Sequence, residues 1–157
     1  MGSAEEEATK AICDFYEALD QLLQGKGTRA MNEIWHHGPD VTTSHPFGDW
    51  ARGWAEVSAS WEESLAVWQL YKGHVGRTDR VGKLEGLRVV VMGDAALATS
   101  IYKGIMYMTE GPLYLNANCT NVARRIDGAW KLVHHHADQA SSDWKAAIGT
   151  MVARGHS

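Results

Sequence analysis

A chain of 157 residues with 45% hydrophobic and 22% charged side chains has the composition of one soluble globular domain, spanning 1–157, and not of a disordered chain. Its formal charge of -4, without a basic block, argues against a nucleic-acid or anionic-membrane partner. No apolar run approaches the roughly 20 residues that span a bilayer, the start "MGSAEEEATK" lacks the basic and apolar regions of a signal peptide, and a cytoplasmic location is expected.

From Ala4 to Leu23 the apolar residues Ala8, Ala11, Ile12, Phe15, Leu19, Leu22 and Leu23 recur at helical spacing, with glutamates in the first turn. "QGKGT" ends this helix, and Thr28 is suited to cap a short second one, "RAMNEIW". Pro39 stops that helix, "VTTSH" reads as a short β-branched strand, and "PFG" turns the chain. A third helix carries Trp54, Val57, Trp61, Leu65 and Trp68 at steps of 3, 4, 4 and 3, which puts them on one face. After the connection "KGHVGRTDRVGK" the pattern changes to four β-leaning runs, "LEGLRVVVMG", "DAALATSIYKGIMYM", "LYLNANCTNVARRI" and "AWKLVHHHAD". The short turns "MGD", "EGP" and "IDG" between them make an antiparallel meander. "SSDWKAAIGTMVAR" closes the chain as an amphipathic helix with Trp144, Ile148, Met151 and Val152 on one stripe. The fold class is α+β, with helices covering one face of the sheet.

Two cysteines without a CxxC spacing, Cys13 in a helix and Cys119 in a strand, read as small buried hydrophobes and not as a disulfide or thiolate site. The run His134, His135 and His136 raises the question of metal. Successive strand side chains point to opposite faces, so His135 looks one way with Val133 and Ala137, and His134 and His136 look the other. Three consecutive imidazoles cannot then bind one ion, and a zinc site would have to borrow Asp138 or His45. No metal and no cofactor is expected. Seven tryptophans imply a thick apolar core or an aromatic-walled pocket. Trp50 and Trp54 follow the "HPFG" turn and are placed to wall an apolar ligand, whereas Trp61 and Trp68 read as core. His36 and His37 at a helix end face solvent and the helix dipole. The outward row Trp130, Leu132, His134 and His136 is too apolar for a bare surface and reads as a homodimer interface.

"TTSHPFG", "GDAALATSIYKG" and "NVARRIDGAWKLVHHHAD" together resemble the nuclear transport factor 2-like superfamily, in particular its SnoaL-like branch, over about Ala4 to Trp144. Relatives in that superfamily include ketosteroid isomerase, scytalone dehydratase and the association domain of calmodulin-dependent kinase. The resemblance implies a cone-shaped curled antiparallel sheet, N-terminal helices on its concave face, a C-terminal helix, and a pocket open at one end. It places His45, just before "PFG", where the isomerases have their carboxylate base, and Asn121 where they have the acid that donates to an oxyanion. An amide can donate a hydrogen bond there but cannot act as a neutral carboxylic acid. It also sets Tyr102 and His135 on the pocket side of their strands and matches Tyr16 approximately to the isomerases' phenolic donor.

Three functions are compatible with these residues. One is cofactor-independent acid-base chemistry, of isomerase, cyclase or dehydratase type, on a small apolar or cyclic molecule. His45 would then be the base, with Asn121, Tyr16 or His135 stabilising the product anion. The others are ligand binding without chemistry, and a dimerisation or assembly module.

Overall fold

The computed structural model describes residues 2–46, 48–71, 80–108, 111–139 and 153–155. Helix α1, Ala4–Leu23, starts at a capping box: the Ser3 hydroxyl accepts from the Glu6 backbone at 3.2 Å, and Glu6 Oε2 accepts from the Ser3 backbone at 2.9 Å. Its apolar stripe, including Ile12, Phe15, Tyr16 and Leu22, is buried against the sheet. Helix α2, Arg29–Ile34, has Thr28 at its N-cap, but that hydroxyl is used differently from expectation, bonding Glu62 of the third helix instead of the first turn. Strands β1 (Thr42–Ser44) and β2 (Ala51–Arg52) pair antiparallel and lead into α3, Gly53–Tyr71. Val57 and Trp61 on α3 are buried, with Leu65 and Trp68 half-buried beside them, as the spacing requires.

The remaining strands are β3 (Gly82–Met92), β4 (Ala95–Met108), β5 (Gly111–Ile126) and β6 (Ala129–Gln139). The sheet runs β2-β1-β6-β5-β4-β3. It is antiparallel as a meander should be, except that β1 lies parallel to β6 with Thr43 opposite His135, so the sheet is mixed at that junction. β2 was not legible in the sequence. The β5–β6 turn is a two-residue hairpin in which Asp127 and Gly128 have φ of 51° and 81°, the left-handed pair that a twisted hairpin needs. Residues 153–155 are helical, and the rest of the expected C-terminal helix, with Trp144, Ile148, Met151 and Val152, lies outside the described residues.

Two bulges set which residues face the helices. In β6 the register against β5 slips between Leu132 and His134, because Val122 pairs with His134 and Ala123 with Leu132. Val133 is the extra residue, and strand alternation changes phase across it. Trp130 and Leu132 are consequently buried on the same side as His135 and Ala137. This corrects the outward row: only His134 and His136 of those four stay on the outer face, and the two apolar members belong to the core. A second slip, between Glu85 and Arg88 of β3, has Gly86 at φ 61°. Cys119 is buried as expected, whereas Cys13 is exposed on the solvent side of α1, one position away from the buried stripe.

Candidate functional site

Helix α1, helix α3 and the inner face of the sheet leave a narrow cavity of about 90 Å³ between them. His45 reaches it from the end of β1, His135 from β6, Tyr102 from β4, and Trp61 and Trp68 from α3; the rest of the wall is mainly apolar, with leucines from α1. No carboxylate, ammonium or guanidinium is among its described lining residues. The volume is well below the roughly 300–1,000 Å³ of pockets that enclose drug-sized molecules. An open groove of about 670 Å³ shares His45, Ser64 and Trp68 with the cavity and runs out over Asp49, Trp50, Glu56 and Glu63. A hollow of similar size, about 710 Å³, lies between α2 and the β5–β6 turn, but it carries Arg29, Glu33 and Lys131 and none of the expected site residues.

The two imidazoles flank Trp61, whose ring centroid is 4.4 Å from that of His45 and 6.0 Å from that of His135. Burial lowers the His45 pKa to about 4. His135, 2% exposed, is held well below the usual histidine range by burial first and by His45 next. Both rings are therefore neutral near pH 7. His45 Nε2 lies 3.2 Å from the Ser60 hydroxyl, which itself donates to the Val57 carbonyl at 2.7 Å.

Asn121 and Tyr16 stand behind this wall. Asn121 is fully buried and both ends of its amide are engaged: Oδ1 accepts from the Tyr16 hydroxyl at 2.7 Å, and Nδ2 is 3.1 Å from His135 Nδ1. The Tyr16 oxygen is also 3.2 Å from Ser100 Oγ. Burial raises the Tyr16 pKa, so it is a neutral phenol. The pair expected to grip a guest from opposite sides, His45 and Asn121, is thus arranged otherwise, with His135 between the amide and the cavity. Tyr102 stacks on Tyr16 at 5.8 Å, and its pKa is raised by burial and then by Asp20. Gly82 lies under the Tyr102 ring so closely that a Cβ there would overlap it.

The tryptophans are distributed differently from expectation. Trp50, 44% exposed, immediately precedes β2 on the outer side, where it stacks against His134 at 5.8 Å and lies tilted to His136 at 5.2 Å; it borders the groove and not the cavity. Trp54 is stacked on His37 at 4.1 Å, away from the cavity, which gives His37 a partner besides solvent. Trp61 and Trp68 are at once core and cavity wall. One residue near the site was missed altogether: Asp20, 4% exposed, accepts from the backbone of Val81 at 2.9 Å and of Gly82 at 3.1 Å, and from Tyr102 at 3.4 Å. A carboxylate between Leu19 and Leu23 on an apolar helix stripe is the sequence signal that could have found it. Among the described residues no group of three or more His, Cys, Asp or Glu side chains is arranged to hold a metal ion, and no helix is long and apolar enough to cross a membrane.

The same architecture occurs in solved structures. A candidate dehydratase of the NTF2-like family from Streptomyces avermitilis superposes with a TM-score of 0.69 at 24% identity, covering 88% of this chain and 96% of that one. A CaMKII hub from S. rosetta gives 0.64 at 19% identity over 89% and 99%, and an NTF2-like superfamily protein from Salmonella enterica serovar Typhimurium gives 0.68 at 17% over 88% and 92%. At these identities the likeness concerns the fold. Among curated proteins, the F-box protein SKIP8 of Arabidopsis thaliana is 25% identical over 129 residues, which are 82% of this chain and 49% of that protein, so the chain spans about half the length of this relative. Residues 12–140 match the model of the SnoaL-like domain, and the chain belongs to that family, on the α+β fold of the NTF2-like proteins.

Proposed function

We propose that the chain takes up a small, uncharged, largely apolar or cyclic molecule between His45 and His135 and moves a proton on it, with His45 as the base. The observation that carries this reading is a pair of neutral imidazoles on the wall of one narrow cavity whose described lining has no charged side chain. A charged guest would lose its hydration without gaining a counter-ion, at a cost of several kcal/mol. A neutral guest loses little, and Trp61, Trp68 and the leucines of α1 reward its apolar surface. His45 is a weaker base than free histidine, because burial opposes its charging. It is nevertheless fully in its proton-accepting form at neutral pH, and the charge it gains forms beside the anion it creates.

Five- to seven-membered cyclic ketones test both halves. A ligand at 100 times its Kd adds about 2.7 kcal/mol to folding and raises the unfolding temperature accordingly. Proton transfer is read by NMR as exchange of the ketone's α-hydrogens in D2O: it is expected from the wild type and lost in His45→Gln. Binding without exchange would leave a ligand carrier, and absence of both would dismiss the cavity as a functional site.

The hub structures among the fold's relatives favour assembly as a second reading. The outer sheet face retains exposed Val90 and Trp50 and half-buried Leu97 and Val122, enough for a homodimer contact without Trp130 and Leu132. Sedimentation at micromolar concentration tests it, and a monomer would refute it.

A further inference from the structure

Each cavity imidazole is held by a neighbour that has only one hydrogen-bonding role left to offer. A hydroxyl carries one proton, and Ser60 spends its own on the Val57 carbonyl at 2.7 Å, the back-bond common for helical serine. The 3.2 Å contact between Ser60 Oγ and His45 Nε2 must then be filled by a proton on the nitrogen. His45 keeps its lone pair on Nδ1. On the opposite wall the order is reversed. Tyr16 donates to Asn121 Oδ1 at 2.7 Å, which turns the amide NH2 toward His135 Nδ1 at 3.1 Å. An amide nitrogen can only donate, so Nδ1 accepts, and the His135 proton sits on Nε2.

We propose that Ser60 and Asn121 are positioning residues that lock the two rings in opposite presentations, a lone pair from His45 and an N–H from His135. The cavity then selects an uncharged guest with a hydrogen-bond donor at one end and an acceptor at the other, as in a small hydroxy-ketone. This rests on reading the cavity as a binding site. The same geometry gives Asn121 a task that needs no contact with the guest, which fits its complete burial. A carboxylate guest would set its lone pairs against that of His45, and an ammonium guest would have no acceptor at His135.

Long-range proton–nitrogen NMR on histidine-labelled protein near pH 7 reads the tautomers directly. Both His45 and His135 are expected to carry their proton on Nε2. In Asn121→Asp, a near-isosteric change that Tyr16 can still serve, the amide donor becomes an acceptor, and the His135 proton is expected to move to Nδ1. In Ser60→Ala, His45 should lose its single tautomer while His135 keeps its own. A wild-type His135 protonated on Nδ1, or on both nitrogens, overturns the lock whether or not either variant folds. Affinity for 2-hydroxycyclohexanone tests selection: Asn121→Asp should bind it at least about tenfold more weakly, the loss of one well-made hydrogen bond. Equal affinity in a variant whose tautomer has switched overturns the selection. If both wild-type tautomers are as expected and 2-hydroxycyclohexanone does not bind, the cavity reading fails and the locks stand.

Discussion

Acid should weaken this fold through the cavity histidines. Burial takes His45 from 6.5 to about 4, so between those values the unfolded chain binds a proton that the folded chain refuses. Stability is therefore complete above the unfolded value and declines as pH falls toward the folded one. For His45 alone the loss is about 2 kcal/mol at pH 5 and approaches about 3 kcal/mol below pH 4. His135 is shifted the same way, chiefly by burial, and adds to the loss. Urea unfolding followed by tryptophan fluorescence near pH 7.5 and near pH 5 gives the two free energies. His45→Gln removes the titrating ring, and its loss between the two pH values should be smaller than that of the wild type by about 2 kcal/mol. If the two proteins lose the same amount within about 0.5 kcal/mol, burial of His45 is not the cause of the acid sensitivity, and His45 is not the neutral, desolvated imidazole that its burial implies.

Tyr16→Phe strips the hydroxyl from Asn121 Oδ1 and leaves that acceptor buried without its donor, which should cost about 2 kcal/mol in urea unfolding with an unchanged m-value. Asp20→Ala removes the acceptor for the backbone N–H groups of Val81 and Gly82; a loss of about 2–4 kcal/mol is expected, with faster amide exchange at those two residues. Gly82→Ala forces a Cβ into the space of the Tyr102 ring, which should destabilise by about 1–3 kcal/mol and appear as altered ring resonances of Tyr102.

Much of the fold could be read in order along the chain because its signals are local. The glutamates at the start of α1, the tryptophan steps of α3 and the Asp127–Gly128 turn each specify geometry within a few residues. Alternation within β6 also placed His134, His135 and His136 correctly relative to one another. Alternation failed over a longer reach, because a bulge leaves no mark on the hydrophobic pattern: "WKLVHHH" looks like seven strand residues in phase, and only the pairing with β5 reveals the slip at Val133. Trp50 and Trp54 were misplaced for a related reason. Both follow His45 closely in sequence, yet Trp50, just before the edge strand β2, lies against the outer-face rings of His134 and His136, and Trp54, just after it, lies on His37. The site was legible in its residue types and not in its wiring. His45, His135 and Tyr102 reach the cavity, whereas Asn121 and Tyr16 meet one another behind it, a pairing across 105 positions that no local pattern encodes.

The slip at Val133 gives the histidine triplet a kind of insurance. With the extra residue in place, Trp130 and Leu132 fill the interior and the middle imidazole follows them inward. Were the strand to run straight, with Val133 drawn into the ladder while Trp130 and Leu132 held their seats, the ring now in the middle would turn outward and its two neighbours would turn in. In either frame an imidazole meets the hollow, so a one-residue slip of register here would change which histidine faces it without leaving the position empty.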